Sequence, residues 1–337
     1  EPYRRQRQMC IRDSWNTEER RKEWEHMSAK AELLRLLRQS DTFISGEELS
    51  RQLGITRAAV WKNMELLREE GYTIESVTRK GYRLTGVPDS ISEAEIRANL
   101  CGKGVFGCEI FSLPSVDSTN EEAKRQGDKG APHGSVFVAD EQTGGKGRLG
   151  RRWVSPPGSG LWFSILLRPD VLPGEVTGVT LLSAVAVCRG IRALTGCEAK
   201  IKWPNDVVIG TKKVCGILTE LSAEMEQIHY LIPGIGVNTG NESFPPELAD
   251  RATSLKIETG KDVCRAALLG KILEEFESLY ERYGVSSFPE EYRELCVSIG
   301  RKVSLNRGGK KKTGIAVGLA VDGSLLIQLL AMVLVDF

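Results

Sequence analysis

The sequence predicts a multidomain α+β chain: an N-terminal winged helix-turn-helix, a larger α/β domain on a mixed, largely antiparallel sheet, and a small C-terminal β domain. Three observations predict it. Helix caps and helically spaced leucines fill the stretch from Ser28 to Glu70. Between Pro88 and Leu295, β-branched runs alternate with long apolar helical stretches, and from Gly300 only short alternating strands remain. The expected boundaries are 1–26 for a leading extension, 27–87 for the winged helix, 88–299 for the larger domain and 300–337 for the last.

Residues 1–26 carry seven basic and six acidic side chains and lack the apolar stretch of a signal peptide. They are read as a non-native or disordered extension, with Met27 as the natural start. A DNA-binding arm is the alternative, weakened by the near balance of charge.

The first helix is expected over Lys30–Arg38, with leucines at 33, 34, 36 and 37. Ser45-Gly46-Glu47-Glu48 has the spacing of a capping box, and the helix it opens stops at Gly54. Thr56 is placed to cap the next helix, on which Val60, Met64 and Leu67 share one face. Tyr72-Thr73-Ile74 and Tyr82-Arg83-Leu84 then alternate as two strands around Arg79-Lys80-Gly81, forming a wing. With the Val60 face inward, Arg57, Trp61, Lys62 and Arg68 point partly or wholly outward. They and the wing's Arg79 and Lys80 are the candidate DNA contacts. Ser28–Val87 holds ten basic and eight acidic residues, so operator affinity would require dimerisation. A helical bundle used for protein contact is the other reading.

In the larger domain, helices are expected over Ser92–Leu100, Asn120–Gln126, Val176–Leu194, Val263–Tyr283 and Pro289–Leu295. Strands are expected over Ser135–Ala139 and Leu161–Leu167, and three more over Ile201–Asn238, with a hairpin at Gly210-Thr211. Last come strands over Lys302–Leu305, Gly314–Leu319 and Ser324–Leu329, turning at Asp322-Gly323.

The richest chemistry lies in Gly144–Trp153, which holds four cations and four glycines without an acidic group. Glycines let backbone approach a ligand closely, and lysine and arginine attract anions. Gly145-Lys146-Gly147-Arg148-Leu149-Gly150 fits the dinucleotide fingerprint formally, but Pro156-Pro157 follow where that motif needs a helix. The ending of a P-loop is also absent, and a solvated basic turn is the bland alternative. Downstream, Lys202 ends an apolar run beside Trp203-Pro204, where it either faces a ligand or snorkels to water.

Together these segments resemble the biotin protein ligases, specifically the bifunctional kind that also repress the biotin operon. The family's glycine-arginine loop corresponds to Gly145-Lys146-Gly147-Arg148-Leu149-Gly150-Arg151, and its Lys-Trp-Pro-Asn-Asp segment to Lys202–Asp206. Asp117-Ser118-Thr119-Asn120 matches the family's biotin-binding element, and Gln142 the glutamine before the loop. Lys213-x-x-Gly216-Ile217-Leu218 matches the following strand, and Gly234–Asn238 the glycine-asparagine turn after it. The resemblance runs from about Met27 to about Gln328.

It implies a central domain of the biotin/lipoate ligase type and a C-terminal SH3-like β-barrel. Here the barrel looks truncated, because Leu330–Phe337 departs from the family and leaves an apolar tail; poor stability of that subdomain is expected. It implies a reaction in which the biotin carboxylate attacks the α-phosphorus of ATP and pyrophosphate leaves. A lysine of a biotin carboxyl carrier protein then attacks the adenylate. Lys202, Arg148 and Arg151 are the implied catalytic cations. Biotin would meet Ser118, Thr119, Asn120, Gln142, Lys146, Gly147, Arg148 and Lys202. The nucleotide would meet Lys146, Arg148, Arg151, Trp153, Asn205, Asp206, Lys213 and Asn238. Magnesium would come with the phosphates, without a protein ligand. Lys146 stands where the family usually has arginine, which keeps charge but loses the fork. Repression implies operator DNA and a homodimer formed with the adenylate bound. Two other readings remain: a ligand sensor with an inactive ligase domain, and a lipoate or octanoate transfer enzyme.

Composition sets the remaining limits. The 46 basic and 45 acidic residues leave a net charge of +1, so any anion site is local. The eight cysteines show no C-x-x-C pair and suggest reduced thiols in a cytoplasmic protein. Three scattered histidines offer little to a zinc site or a triad, and no stretch suits a membrane span.

Overall fold

The computed structural model describes residues 29–100, 104–176, 178–225, 227–307 and 310–329. The leading extension and Leu330–Phe337 lie outside them. The chain divides into two compact units, the first ending at Asn99 and the second beginning at Leu100.

The first unit is the expected winged helix. Helix α1 covers 29–38. Ser45 caps α2 (Gly46–Leu53) by accepting from the Glu48 amide, and Gly54 ends it with φ 66°. Thr56 caps α3 (Arg57–Glu69) by accepting from the Ala59 amide. Leu33, Leu34, Leu37, Leu49, Val60, Met64 and Leu67 bury together with Tyr72 and Ile74. The wing is an antiparallel pair, β1 (Thr73–Val77) and β2 (Gly81–Gly86), with Ile44 bridging to Tyr82. Gly81 has φ 112°, and a side chain there would meet the Ile44 carbonyl oxygen at 2.0 Å, so this position requires glycine.

The unit extends past the expected end at Val87. Helix α4 (Glu93–Ala98), expected to open the larger domain, is tied to the first unit by the buried carboxylate of Glu95, which Arg38 and the Tyr72 hydroxyl both engage. Burial first, and the Glu95 carboxylate second, push the Tyr72 phenol upward.

The second unit is built on a seven-stranded sheet ordered β3-β4-β5-β9-β8-β7-β6. These strands are β3 (Ile110–Val116), β4 (Val136–Gln142), β5 (Gly160–Ile165), β6 (Ala199–Lys202), β7 (Asp206–Ile209), β8 (Lys212–Ala223) and β9 (Ile228–Asn238). Only β3 and β4 pair in parallel, so the sheet is mixed and largely antiparallel. Ile201–Asn238 supplies four strands rather than three, because Trp203-Pro204-Asn205 turns the chain between Lys202 and Asp206, which face each other in register. The expected glycine-asparagine turn lies instead within β9, where Gly234 and Gly236 are paired on both sides.

Side-chain alternation gives the sheet two jobs. On one face, Phe137, Leu166, Tyr230 and Ile232 pack with Ala123 of α5 (Thr119–Asp128). On the other lies α6 (Val179–Thr195), buried along most of its length up to Ile191, whose Thr180 hydroxyl is 2.7 Å from that of Thr219. Helix α7 (Pro246–Ala249) and α8 (Leu255–Thr259) follow β9. Helix α9 (Arg265–Tyr283) approaches α6 closely at Gly190, where a Cβ would lie 2.6 Å from Ile272. After α10 (Glu291–Leu295), strands β10 (Lys302–Arg307), β11 (Lys310–Leu319) and β12 (Leu325–Leu329) form an antiparallel sheet, consistent with an SH3-like domain. It docks on the Lys202–Asp206 segment, with the Trp203 indole donating to the Gly323 carbonyl at 2.9 Å.

Candidate active site

A cleft with about 480 Å³ of empty space, part of it open to solvent, lies on the α5 face of the large sheet. It gathers Ser118, Thr119, Asn120, Gln142, Lys146, Gly147, Arg148, Trp153, Asn205 and Lys213 from six stretches of chain. Its floor follows from β-sheet parity. Gly216 pairs with Gly236, and Leu218 with Gly234, so these residues share a face. A Cβ on Gly234 would lie 2.0 Å from Asn120 Oδ1, and one on Gly236 or Gly216 would lie 2.8 Å from the Trp153 ring. The three glycines therefore make room for Asn120 and for an indole laid over the sheet.

At the start of α5, the Gln142 carbonyl oxygen accepts from the Thr119 amide (2.9 Å) and hydroxyl (3.2 Å), while its amide donates to Ser155 at 2.9 Å. Ser164, fully buried on β5, lies 2.7 Å from Thr119 Oγ1 and 2.6 Å from Asn120 Oδ1. Asn120 donates to the Leu218 carbonyl and to Glu220. Ser118 is 4 % exposed and makes no side-chain cap bond, leaving its hydroxyl unengaged by the helix. Before it, Asp117 accepts from both Arg125 guanidinium nitrogens, at 2.9 and 2.7 Å. That guanidinium is the main cause holding the carboxyl down at about 2.

The glycine-rich loop closes on itself across the cleft mouth. Trp153 donates its amide to the Gly145 carbonyl, and Gly147 to that of Arg151. Its tip is a short turn at Arg148–Gly150 with Leu149 at φ 59° and 90 % exposed. Arg148 donates to Asn205 Oδ1 at 3.0 Å, and Asn205 in turn donates to the Ile217 carbonyl at 2.8 Å. Lys213 pairs with Asp206 at 2.6 Å and lies over the Trp153 ring, 5.0 Å from its centroid. The Trp153 indole N–H is buried without an acceptor.

Four expected site residues do not line this cleft. Lys202, at the end of β6, is exposed and has no ion pair among the described residues. Arg151 is exposed. Asp206 is engaged by Lys213, and Asn238 is buried with its amide donating to the Thr253 carbonyl at 3.0 Å. Sequence reasoning missed Ser164, Ser155 and Glu220, whose contributions come only from strand register. No group of three or more His, Cys, Asp or Glu side chains converges among the described residues, so the donor set does not fit a resident metal ion. Cys188, Cys197, Cys215, Cys264 and Cys296 are free thiols, and no described helix is long and apolar enough to cross a membrane.

In the first unit, Arg57, Lys62, Arg79 and Lys80 are exposed, and Trp61 is 58 % exposed. Arg68 is partly outward, as expected, and is held by the fold. It is half-buried, pairs with Glu65 and donates to the Ile74 carbonyl at 2.9 Å, which fastens α3 to the wing.

Comparison with known proteins follows the same division. Residues 112–238 match the biotin/lipoate A/B protein ligase family, 30–83 an HTH domain, and 298–337 the biotin protein ligase C terminal domain. The bifunctional ligase/repressor BirA of Bacillus subtilis (strain 168) is 40% identical over 305 residues, 89% of this chain and 94% of that protein. Its namesake in Escherichia coli (strain K12) is 30% identical over 290 residues, 85% of this chain and 88% of that one. Among solved structures, a biotin protein ligase from Aquifex aeolicus in complex with biotin and ATP superposes with a TM-score of 0.57. It is 36% identical and covers 65% of this chain and 91% of its own. Likeness at this level, along nearly the whole length of the relatives, shows that the chain belongs to the bifunctional ligase/repressor family of biotin protein ligases.

Proposed function

We propose that this protein joins biotin to ATP, transfers the biotinyl group to a lysine of a biotin carboxyl carrier protein, and represses transcription in response to biotin. The observation that carries this is a polar cleft, floored by three glycines and bordered by a cation-bearing loop, in a chain that also presents a helix with an exposed basic face. The relatives named for both activities support it.

In this reading, Ser118, Thr119, Asn120 and Gln142 hold the ureido ring. Lys146 and Arg148 face the carboxylate and the α-phosphoryl group, with Gly147 giving the ligand room. Trp153, Asn205 and Lys213 border the nucleotide. Cations aimed at the charge that grows on the transition state lower the barrier. Lys202 and Arg151, exposed and not lining the cleft, would swing toward the phosphates when substrate arrives; Asp206 and Asn238 would act by fixing Lys213 and the end of β9. Magnesium would enter with the nucleotide. Closing the loop would shield the adenylate from water until the carrier lysine attacks.

For repression, Arg57, Trp61, Lys62, Arg79 and Lys80 would meet operator DNA, with Arg68 acting through the fold. The adenylate-bound protein would bind two half-sites as a homodimer in the cytoplasm. Incubation with biotin, ATP and a carrier domain should leave one biotin on the carrier lysine. Operator DNA should be retarded more strongly when biotin and ATP are present. An unmodified carrier, or operator binding indifferent to both ligands, would overturn the corresponding half.

A further inference from the structure

A line of ion pairs joins the glycine loop to the cleft floor. Lys146 Nζ lies 2.6 Å from Glu121 Oε1. The same carboxylate oxygen is 3.0 Å from Lys124 Nζ, which also reaches Glu220 Oε1 at 2.8 Å. The other oxygen of Glu220 accepts from Asn120 at 2.7 Å, and Asn120 in turn lies 2.6 Å from buried Ser164. Lys146 and Asn120 line the cleft, whereas Glu121, Lys124 and Glu220 do not. Lys146 first, and Lys124 second, hold the Glu121 carboxyl below its ordinary range, so it is charged at neutral pH.

We propose that Glu121 is a positioning residue that latches the glycine loop through Lys146, and that Lys124 moderates the latch by sharing the same carboxylate oxygen. Its consequence for the reaction, slower escape of the adenylate, rests on the ligase reading; the latch itself does not. Exposed ion pairs stabilise folds weakly, and the Lys146 side chain is 53 % exposed. The pair therefore acts on where the loop sits, not on whether the protein folds. Because two lysines converge on one oxygen, removing the acid and removing the rival lysine have opposite consequences.

The test is trypsin cleavage between Lys146 and Arg152 in the ligand-free full chain, followed by mass spectrometry, with release of biotinyl-adenylate measured alongside. Glu121→Gln is expected to speed cleavage and release about two- to fivefold, the scale of an exposed pair, with an unchanged melting temperature. Lys124→Gln should be cut more slowly than the wild type, and cleavage at the wild-type rate would overturn the moderating part of Lys124. Added salt should accelerate cleavage of the wild type but not of Glu121→Gln. Cleavage of Glu121→Gln at the wild-type rate, or equal acceleration by both substitutions, would overturn the latch. If the wild type forms no adenylate, the ligase reading fails, and cleavage still decides the latch.

Discussion

Trp153 lies over Gly216 and Gly236 because neither has a Cβ to lift it, and its edge meets Trp162 at 6.2 Å between centroids. In Gly236→Ala, the new methyl would stand 2.8 Å from the indole nitrogen and displace the ring from the cleft wall. Misplacement of a positioning group by about an ångström costs up to roughly a hundredfold. We therefore expect kcat/KM for adenylation to fall by about ten- to a hundredfold, with an unchanged circular dichroism spectrum; steady-state kinetics check this. Arg148 was legible because it stands in a loop rich in cations and glycines, and Thr119, Gln142 and Asn205 through the motifs that carry the family resemblance. Ser164, Gly216 and Gly236 stand in plain strands, and their parts appear only when register sets Ser164 opposite Gly234 and Gly216 opposite Gly236.

Helices were more legible than strands at the scale of the element. Caps at Ser45, Thr56 and Ser92 and the stop at Gly54 are local chemistry, and each forms as its spacing demands. Strand β3 was missed because Pro114 interrupts its pattern, and it is tolerated there because β3 is an edge strand with one neighbour. Thr56→Ala should destabilise the winged unit by about 1 kcal/mol, the usual cost of a lost N-cap, as read by urea denaturation. At the start of α5, Asp117 carries a pH dependence. Its carboxyl sits at about 2 in the folded protein, against an ordinary value of 3.8. The folded-state value is depressed, so the stability from the Asp117–Arg125 pair is complete above the ordinary value and fades as pH falls through about 2. Carboxyl NMR of Asp117 should show a midpoint near 2, whereas one near the ordinary value would contradict the pairing.

For the whole molecule, the order of the parts was readable because each has its own period: helical in the first unit, mixed in the large sheet, and two-residue in the last strands. The boundary after the winged helix was not, since α4 is held to that unit by Glu95, Arg38 and Tyr72, residues far apart in sequence. Docking of the C-terminal sheet through Trp203 and Gly323 was equally hidden, although it places that sheet against the segment containing Lys202. In Gly323→Ala, φ of 80° and a Cβ 2.4 Å from Leu181 would both disfavour the docked turn. We expect faster limited proteolysis of residues 300–329 and weaker adenylation, with the winged unit unaffected.

The most direct test of the account is biotin-dependent exchange of labelled pyrophosphate into ATP, comparing the intact chain with Lys202→Ala, since exchange requires neither carrier nor DNA. The account predicts exchange that depends on biotin and falls by about a hundredfold in the variant, the usual cost of losing one transition-state contact. Absence of exchange in the intact chain would contradict adenylation at this cleft, and full exchange in the variant would remove Lys202 from the reaction.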